Sequence, residues 1–212
     1  MGKFFNPDSP VMQGLSRIAD LVVLNILCVI CCIPVLTIGA SVAALYDAAY
    51  RLMQDEGGIY KAFFRAFGSN FKQATIQWLI QLAAAAALCL SLYVYAQSAA
   101  SRALLLLVVL MIVLWCAVTA WVFPLQSRFR NSVKNTMRNA LLCAMAYLPR
   151  TLAMVVLNML PWCLLLLYPS IFWQISILWL VIWFALAAFF NLQLLKKPFR
   201  LLTEGASQEP AE

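Results

Sequence analysis

The side chains able to do chemistry are few, and the first set is a thiol cluster. Cys28, Cys31 and Cys32 stand together, while Cys89, Cys116, Cys143 and Cys163 are scattered through apolar stretches. A cluster of this kind suggests a metal site or a redox pair. No carboxylate sits nearby to complete a ligand set, and the chain contains no histidine. Free cysteine packs in helices as a small hydrophobe. The thiols therefore read as packing, and neither a metal nor a cofactor is expected.

The second set is polar. Asp47 and Arg51 are spaced i,i+4 with the acid first, the order that favours an ion pair on a helix, and Tyr46 and Tyr50 stand beside them. A carboxylate inside a bilayer is costly unless partnered. The pair reads either as a polar functional centre or as a structural pair at the inner interface, the latter being preferred. Gln77 and Gln81 share one helix face and join Asp47 and Arg51 as candidate intramembrane polar residues. Asn158, Gln174, Asn191 and Gln193 are the other amides. Interhelical amide hydrogen bonds contribute about 0.6–2 kcal/mol and more often hold helices together than bind substrates. Arg17 and Asp20 form a possible i,i+3 pair at a helix entrance, and Asp55-Glu56 occupies a turn before Gly57-Gly58. There is no glycine-rich phosphate loop, no Ser/His pair and no carboxylate pair in a plausible pocket. No catalytic residue is assigned, and the chain is not expected to be an enzyme.

The elements that position these residues follow from composition. Of 212 residues, 65% are apolar and 11% charged. Soluble domains run about 45–50% apolar and about 25% charged, so a soluble globular enzyme is all but excluded. About 20 helical residues cross the roughly 30 Å hydrocarbon core. Residues 74–95, 103–123, 149–168 and 171–194 are charge-free at that length or nearly so, with a break at Pro169-Ser170. Residues 18–36 add a further span. Pro34 and Gly39 interrupt it, Ser41 is placed to cap a new helix over 41–54, and Gly57-Gly58 is placed to stop it. Ser41-Val42-Ala43 resembles a signal-peptide cleavage site, but the segment is read as a membrane anchor. The fold class is all-α: a polytopic transmembrane bundle of six helices in three hairpins, with five spans as the alternative. Residues 1–200 form one domain and 201–212 a flexible cytosolic tail.

The positive-inside rule chooses between these readings. Net charge is +7. Six spans put fourteen basic residues on one side and Arg102 alone on the other, whereas five spans divide them twelve to three. Either way the C-terminus is cytosolic. Short amphipathic segments over 10–17, 60–73 and 131–148 precede the hairpins. An internal repeat is conceivable, but common membrane grammar accounts for the pattern. Trp78, Trp121, Trp162 and Trp173, with Tyr93, Tyr95 and Tyr168, read as an aromatic belt.

Two amphipathic stretches carry the candidate docking residues. In 60–73, Phe63, Phe67 and Phe71 recur every four residues with Phe64 alongside, and Lys61, Arg65 and Lys72 lie elsewhere on the wheel. In 126–139, Phe129, Val133 and Met137 form a stripe under Arg128, Asn131, Lys134, Asn135 and Arg138. Such helices suit the headgroup plane or a partner subunit. The residues assigned to docking are Phe63, Phe64, Arg65, Phe67, Phe71, Lys72, Arg128, Phe129, Lys134 and Arg138. Cytosolic-side bases are attracted to anionic lipid by about 1 kcal/mol each, so a nucleic-acid partner is not expected.

The order of Ala19-Asp20-Leu21, Leu24-Asn25, 32–40 (Cys-Ile-Pro-Val-Leu-Thr-Ile-Gly-Ala), Asp55-Glu56-Gly57, 63–67, 70–74 and Leu148-Pro149-Arg150-Thr151 resembles the YesL family of small bacterial membrane proteins. That family has long been classed as a domain of unknown function. The resemblance covers almost the whole chain and is most specific in its first half. The sequence departs at Ala40, where the family often has Pro, a residue that would start the second helix. The resemblance implies a multi-pass protein of the bacterial inner membrane. It also implies an accessory role beside an ABC-type sugar uptake system, with the lipid bilayer and permease or ATPase subunits as partners. It brings no catalytic residues. The rival expectation is a self-contained small-solute transporter or channel, drawing on Asp47, Gln77, Gln81 and Asn158.

Overall fold

The computed structural model describes residues 10–97, 101–129 and 131–206. Lys3, Arg130 and the tail residues 207–212, all used in the charge and domain expectations, lie outside the described residues. Among the described residues every regular element is helical.

α1 (Pro10–Cys32) starts with proline at its first position, where the missing N–H costs nothing. Pro34 ends it, because proline disfavours helix in the residue before it. A 3-10 turn, Val35–Thr37, then reverses the chain. The Thr37 hydroxyl lies 2.6 Å from the Cys31 carbonyl and 2.7 Å from that of Pro34, so one donor serves the open end of α1. α2 (Ile38–Met53) begins three residues before the expected cap. Ser41 is therefore interior, and its hydroxyl donates back to the Thr37 carbonyl at 3.0 Å. The turn after α2 places Asp55 at φ 56° and Gly58 at φ 72°, so a charged residue shares the left-handed role expected of glycine alone.

α3 (Ile59–Gln97) is 39 residues long, about 58 Å at 1.5 Å per residue and nearly twice the hydrocarbon core. The expected amphipathic segment and the span after it are one unbroken helix. Gly68 does not divide them, because Phe63, Ala66 and Ala74 bury the same face on either side of it. α4 (Arg102–Arg128) carries Pro124 near its end. α5 (Val133–Ala146) is capped by Ser132, which accepts from the Asn135 backbone N–H at 3.3 Å. α6 (Leu148–Leu167) and α7 (Pro169–Leu178) each take proline in the first turn. The expected break at Pro169 is the boundary between them. A π turn, Trp179–Trp183, joins α7 to α8 (Phe184–Ala206). The tail expected from residue 201 is thus helical as far as Ala206.

α2 packs most extensively against α3. Its buried face is small: Gly39, Ala40, Ala43, Ala44, Ala48 and Ala49. Small residues let helix backbones approach closely. A Cβ on Gly39 would lie 2.3 Å from the Ala74 carbonyl oxygen. The core cluster is filled by Leu24, Leu45, Phe63, Trp121, Met154, Leu192 and Leu195. Trp121 is fully buried, so it belongs to the core and not to an aromatic belt. Trp162, Trp173, Tyr93 and Tyr168 face outward.

Contacts at one end of the bundle tie three elements together. Arg17 on α1 meets Asp55 after α2 at 2.6 Å, and the Tyr60 hydroxyl on α3 donates to Asp20 on α1 at 2.5 Å. The expected Arg17–Asp20 pair is replaced by these two longer-range contacts. The start of α1 faces the α2–α3 turn, and partners there are better placed than a neighbour on the same helix.

Candidate functional site

Four polar residues of α3, Asn70, Gln73, Gln77 and Gln81, are spaced by three, four and four, which sets them along one helical face. Opposite them Gln126, 3% exposed, is the hub. Its amide nitrogen donates to the Gln73 side-chain oxygen at 2.9 Å and to Asn70 Oδ1 at 3.2 Å. Its oxygen accepts from Gln77 Nε2 at 2.9 Å and from the Thr136 hydroxyl on α5 at 3.4 Å. Both donors and both lone pairs of one carboxamide are thereby used. Further along, Gln81 Oε1 accepts from the Thr119 hydroxyl at 3.0 Å, and its backbone carbonyl accepts from Trp115 Nε1 at 3.2 Å. The network joins α3, α4 and α5 through groups that would otherwise be buried without partners. Gln77 Oε1 is buried with no hydrogen-bond partner among the described residues.

This network is continuous with a cleft of about 800 Å³ between α2, α3 and the end of α4, which reaches Phe129 just beyond it. Asp47 and Arg51 line it from α2, as do Arg65, Lys72 and Gln73 from α3 and Gln126 and Arg128 from α4. The expected Asp47–Arg51 pair is present at 3.0 Å, and Arg51 also meets Glu56 at 2.8 Å. Arg128 places its guanidinium 3.7 Å above the centre of the Tyr50 ring, a cation–π contact. Arg65, Lys72 and Arg128 have no carboxylate within ion-pair distance among the described residues. The described carboxylates are engaged elsewhere: Asp47 and Glu56 on Arg51, Asp55 on Arg17, Asp20 on Tyr60 and Glu204 on Arg200.

The ten residues assigned to docking therefore divide. Arg65, Lys72, Arg128 and Phe129 converge on the cleft. Phe64 and Phe71 are exposed on α3, and Lys134 and Arg138 on α5. Phe67 is half-buried with its ring 5.6 Å from that of Phe71, and Phe129 packs edge-on against Phe199 at 5.8 Å. Phe63 is fully buried, so its ring belongs to the core and presents nothing to a partner. Asp47 and Arg51 line the cleft, whereas Gln77 and Gln81 lie deeper along the amide face. The contributions of Asn70, Gln73, Thr119, Gln126 and Thr136 were not expected. Their signal was the three–four–four spacing on α3 opposite a glutamine one residue past Pro124–Leu125.

A second polar contact lies between other elements. Asn191 Nδ2 on α8 donates to the Tyr46 hydroxyl at 2.9 Å and to Asn158 Oδ1 at 3.2 Å. The π turn is held in the same manner. Asn25 Nδ2 donates to the Leu180 carbonyl at 2.6 Å, and the Ala185 backbone N–H donates to Asn25 Oδ1 at 2.8 Å. π turns leave backbone groups displaced from their usual partners, and one side-chain amide serves two of them here.

Among the described residues these features define an all-helical fold with five helical stretches long and apolar enough to cross a membrane: Val11–Cys32, Ile59–Gln97, Arg102–Arg128, Leu148–Leu167 and Pro169–Glu204, the last running through α7, the π turn and α8. Their outer faces carry exposed residues such as Leu106, Leu110, Leu166 and Ile177, as helices bathed in lipid do. A family model described as "Protein of unknown function, DUF624" matches residues 21–92, a stretch that takes in the second half of α1, all of α2 and the greater part of α3. No curated protein and no solved structure matches the chain.

Proposed function

We propose that this protein is an accessory subunit of the bacterial cytoplasmic membrane that works beside an ABC-type carbohydrate uptake system. On this reading it docks permease or ATPase subunits through its cytosolic aromatic and basic helices. The observation that carries the reading is the exposed set Phe64, Phe71, Lys134 and Arg138, which remains outside the core after the bundle has buried Phe63 and Trp121. The YesL-like order of residues supplies the class of partner.

The reading includes six crossings in three hairpins with a cytosolic C-terminus. α2 is the sixth. Its 16 residues rise about 24 Å, so it crosses with help from its packing against α3. Its support is topological: the Arg17–Asp55 and Asp20–Tyr60 contacts set the first half of α1 beside the end of α2 and the start of α3. On this reading the chain crosses with α1 and returns with α2 to begin α3 on the side it left.

Purification in mild detergent from the native host tests the proposal. Permease or ATPase subunits of a sugar importer are expected to co-purify, and to be lost when Phe64, Phe71, Lys134 and Arg138 are all replaced by serine. Consistent recovery of the protein alone would sink it. The rival transporter reading has less support, because Gln77, Gln81 and Asn158 are engaged in hydrogen bonds between helices.

A further inference from the structure

We propose that the cleft between α2, α3 and the end of α4 binds a phosphate ester, the chemistry shared by lipid headgroups and phosphorylated solutes. The proposal stands apart from the accessory-subunit reading and does not depend on it.

Charge is the first argument. Arg51 is matched by Asp47 and Glu56. Arg65, Lys72 and Arg128 line the same cleft without a carboxylate partner among the described residues. Three unmatched cations around one concavity repel each other when it is empty, and a concave surface lined by one sign of charge focuses their field. An anion relieves that repulsion. A phosphate monoester carries up to two negative charges and a lipid phosphodiester one, and either offers several acceptor oxygens to three cations.

Geometry is the second argument. The Arg128 guanidinium carbon stands 3.7 Å over the centre of the Tyr50 ring, a cation–π contact that restrains the side chain at the cleft. A guanidinium offers N–H groups in a planar fork that recognises phosphate in bidentate fashion. Lys72 adds a point charge on a flexible stem. Gln73 gives its side-chain oxygen to Gln126 at 2.9 Å, which turns its amide nitrogen into an available donor beside Lys72. Gln126 is held by four hydrogen bonds and forms a rigid floor. The volume of about 800 Å³ lies in the usual range for small-molecule sites, roughly 300–1,000 Å³, and exceeds what a bare ion fills. An ester with a headgroup or sugar attached suits it better.

The test is amine acylation of Lys72, with Lys134 as the internal reference, read by mass spectrometry on full-length protein. Dodecyl maltoside micelles, which contain no phosphate, serve as the baseline. One arm adds phosphatidylglycerol to the micelles, and the other adds glycerol 3-phosphate to the buffer. Several-fold shielding of Lys72 over Lys134 in either arm is expected. Shielding by the lipid alone identifies a headgroup, and shielding by the soluble ester identifies a phosphorylated solute. Arg65→Gln and Arg128→Gln are expected to abolish the shielding, and Arg138→Gln to leave it. Equal labelling of both lysines in both arms overturns the proposal using the unmodified protein alone. Equal loss of shielding in Arg138→Gln also overturns it, since a diffuse surface field would then be the cause.

Discussion

Asn25, on the first helix, closes the backbone of the last one: its side chain donates to Leu180 and accepts from Ala185, 155 and 160 residues away. The π turn between α7 and α8 is thus completed by a residue from the opposite end of the chain. Asn25→Leu removes both bonds and takes the side-chain acceptor from the buried Ala185 N–H, at a cost of about 1–3 kcal/mol. A melting temperature in detergent clearly below that of the unmodified protein is expected. An unchanged value would mean that the turn holds itself.

Gln126→Leu strips partners from Gln73, Gln77, Asn70 and Thr136 at once. Amide bonds between membrane helices are worth about 0.6–2 kcal/mol, so the single change is expected to cost about 1–3 kcal/mol. Gln77→Leu alone is expected to cost less. Combined with Gln126→Leu it adds little, because the two side chains share one bond. A double-mutant cycle by thermal unfolding measures the coupling, and strict additivity would refute the pairing.

Gly39 is the point of closest approach between α2 and α3. Gly39→Leu forces a side chain into the Ala74 carbonyl and the Trp78 Cβ, 2.3 Å and 2.6 Å from where its own Cβ would sit. Overpacking of this kind costs about 1–3 kcal/mol or more, and poor yield of folded protein is expected. Gly57→Ala, where nothing lies within 4 Å, is the control and leaves yield unchanged.

Asp55 combines an exposed ion pair with a left-handed backbone. The pair to Arg17 is solvent-exposed on both sides, at 46% and 69%, so Arg17→Ala is expected to cost under about 1 kcal/mol. Asp55→Val also places a β-branched residue at φ 56°, adding roughly 1–3 kcal/mol of strain. Asp55→Gly loses the pair but relaxes the backbone. The expected order of stability is Asp55→Gly above Asp55→Val, measured by unfolding in detergent, and the reverse order would show that the left-handed backbone at this position carries no strain.

Much of the fold was legible because apolar run length and charge position are local properties. The spans over 103–123 and 149–168, the stop at Pro34 and the break at Pro169 all rest on residues adjacent in the chain. The continuity of α3 was hidden. Gly68 and Lys72 look like a boundary, and only the shared burial of Phe63, Ala66 and Ala74 against α2 overrides them. Arg17 pointed locally to Asp20, whereas its partner Asp55 lies 38 residues on. The cleft was half legible. Its bases were singled out on two separate segments, but helix periodicity says nothing of which segments meet. Convergence of Arg65, Lys72 and Arg128 on the Asp47–Arg51 pair is a tertiary fact.

The unbroken course of α3 has a mechanical consequence. A straight rod about 58 Å long that pivots by about 10° near its middle swings each tip by about 5 Å. Lys61 and Arg65 ride near one tip, and Tyr93 and Tyr95 near the other. With no break in the helix between them, a displacement of the basic end by such a pivot is matched by an opposite sweep of the tyrosine end.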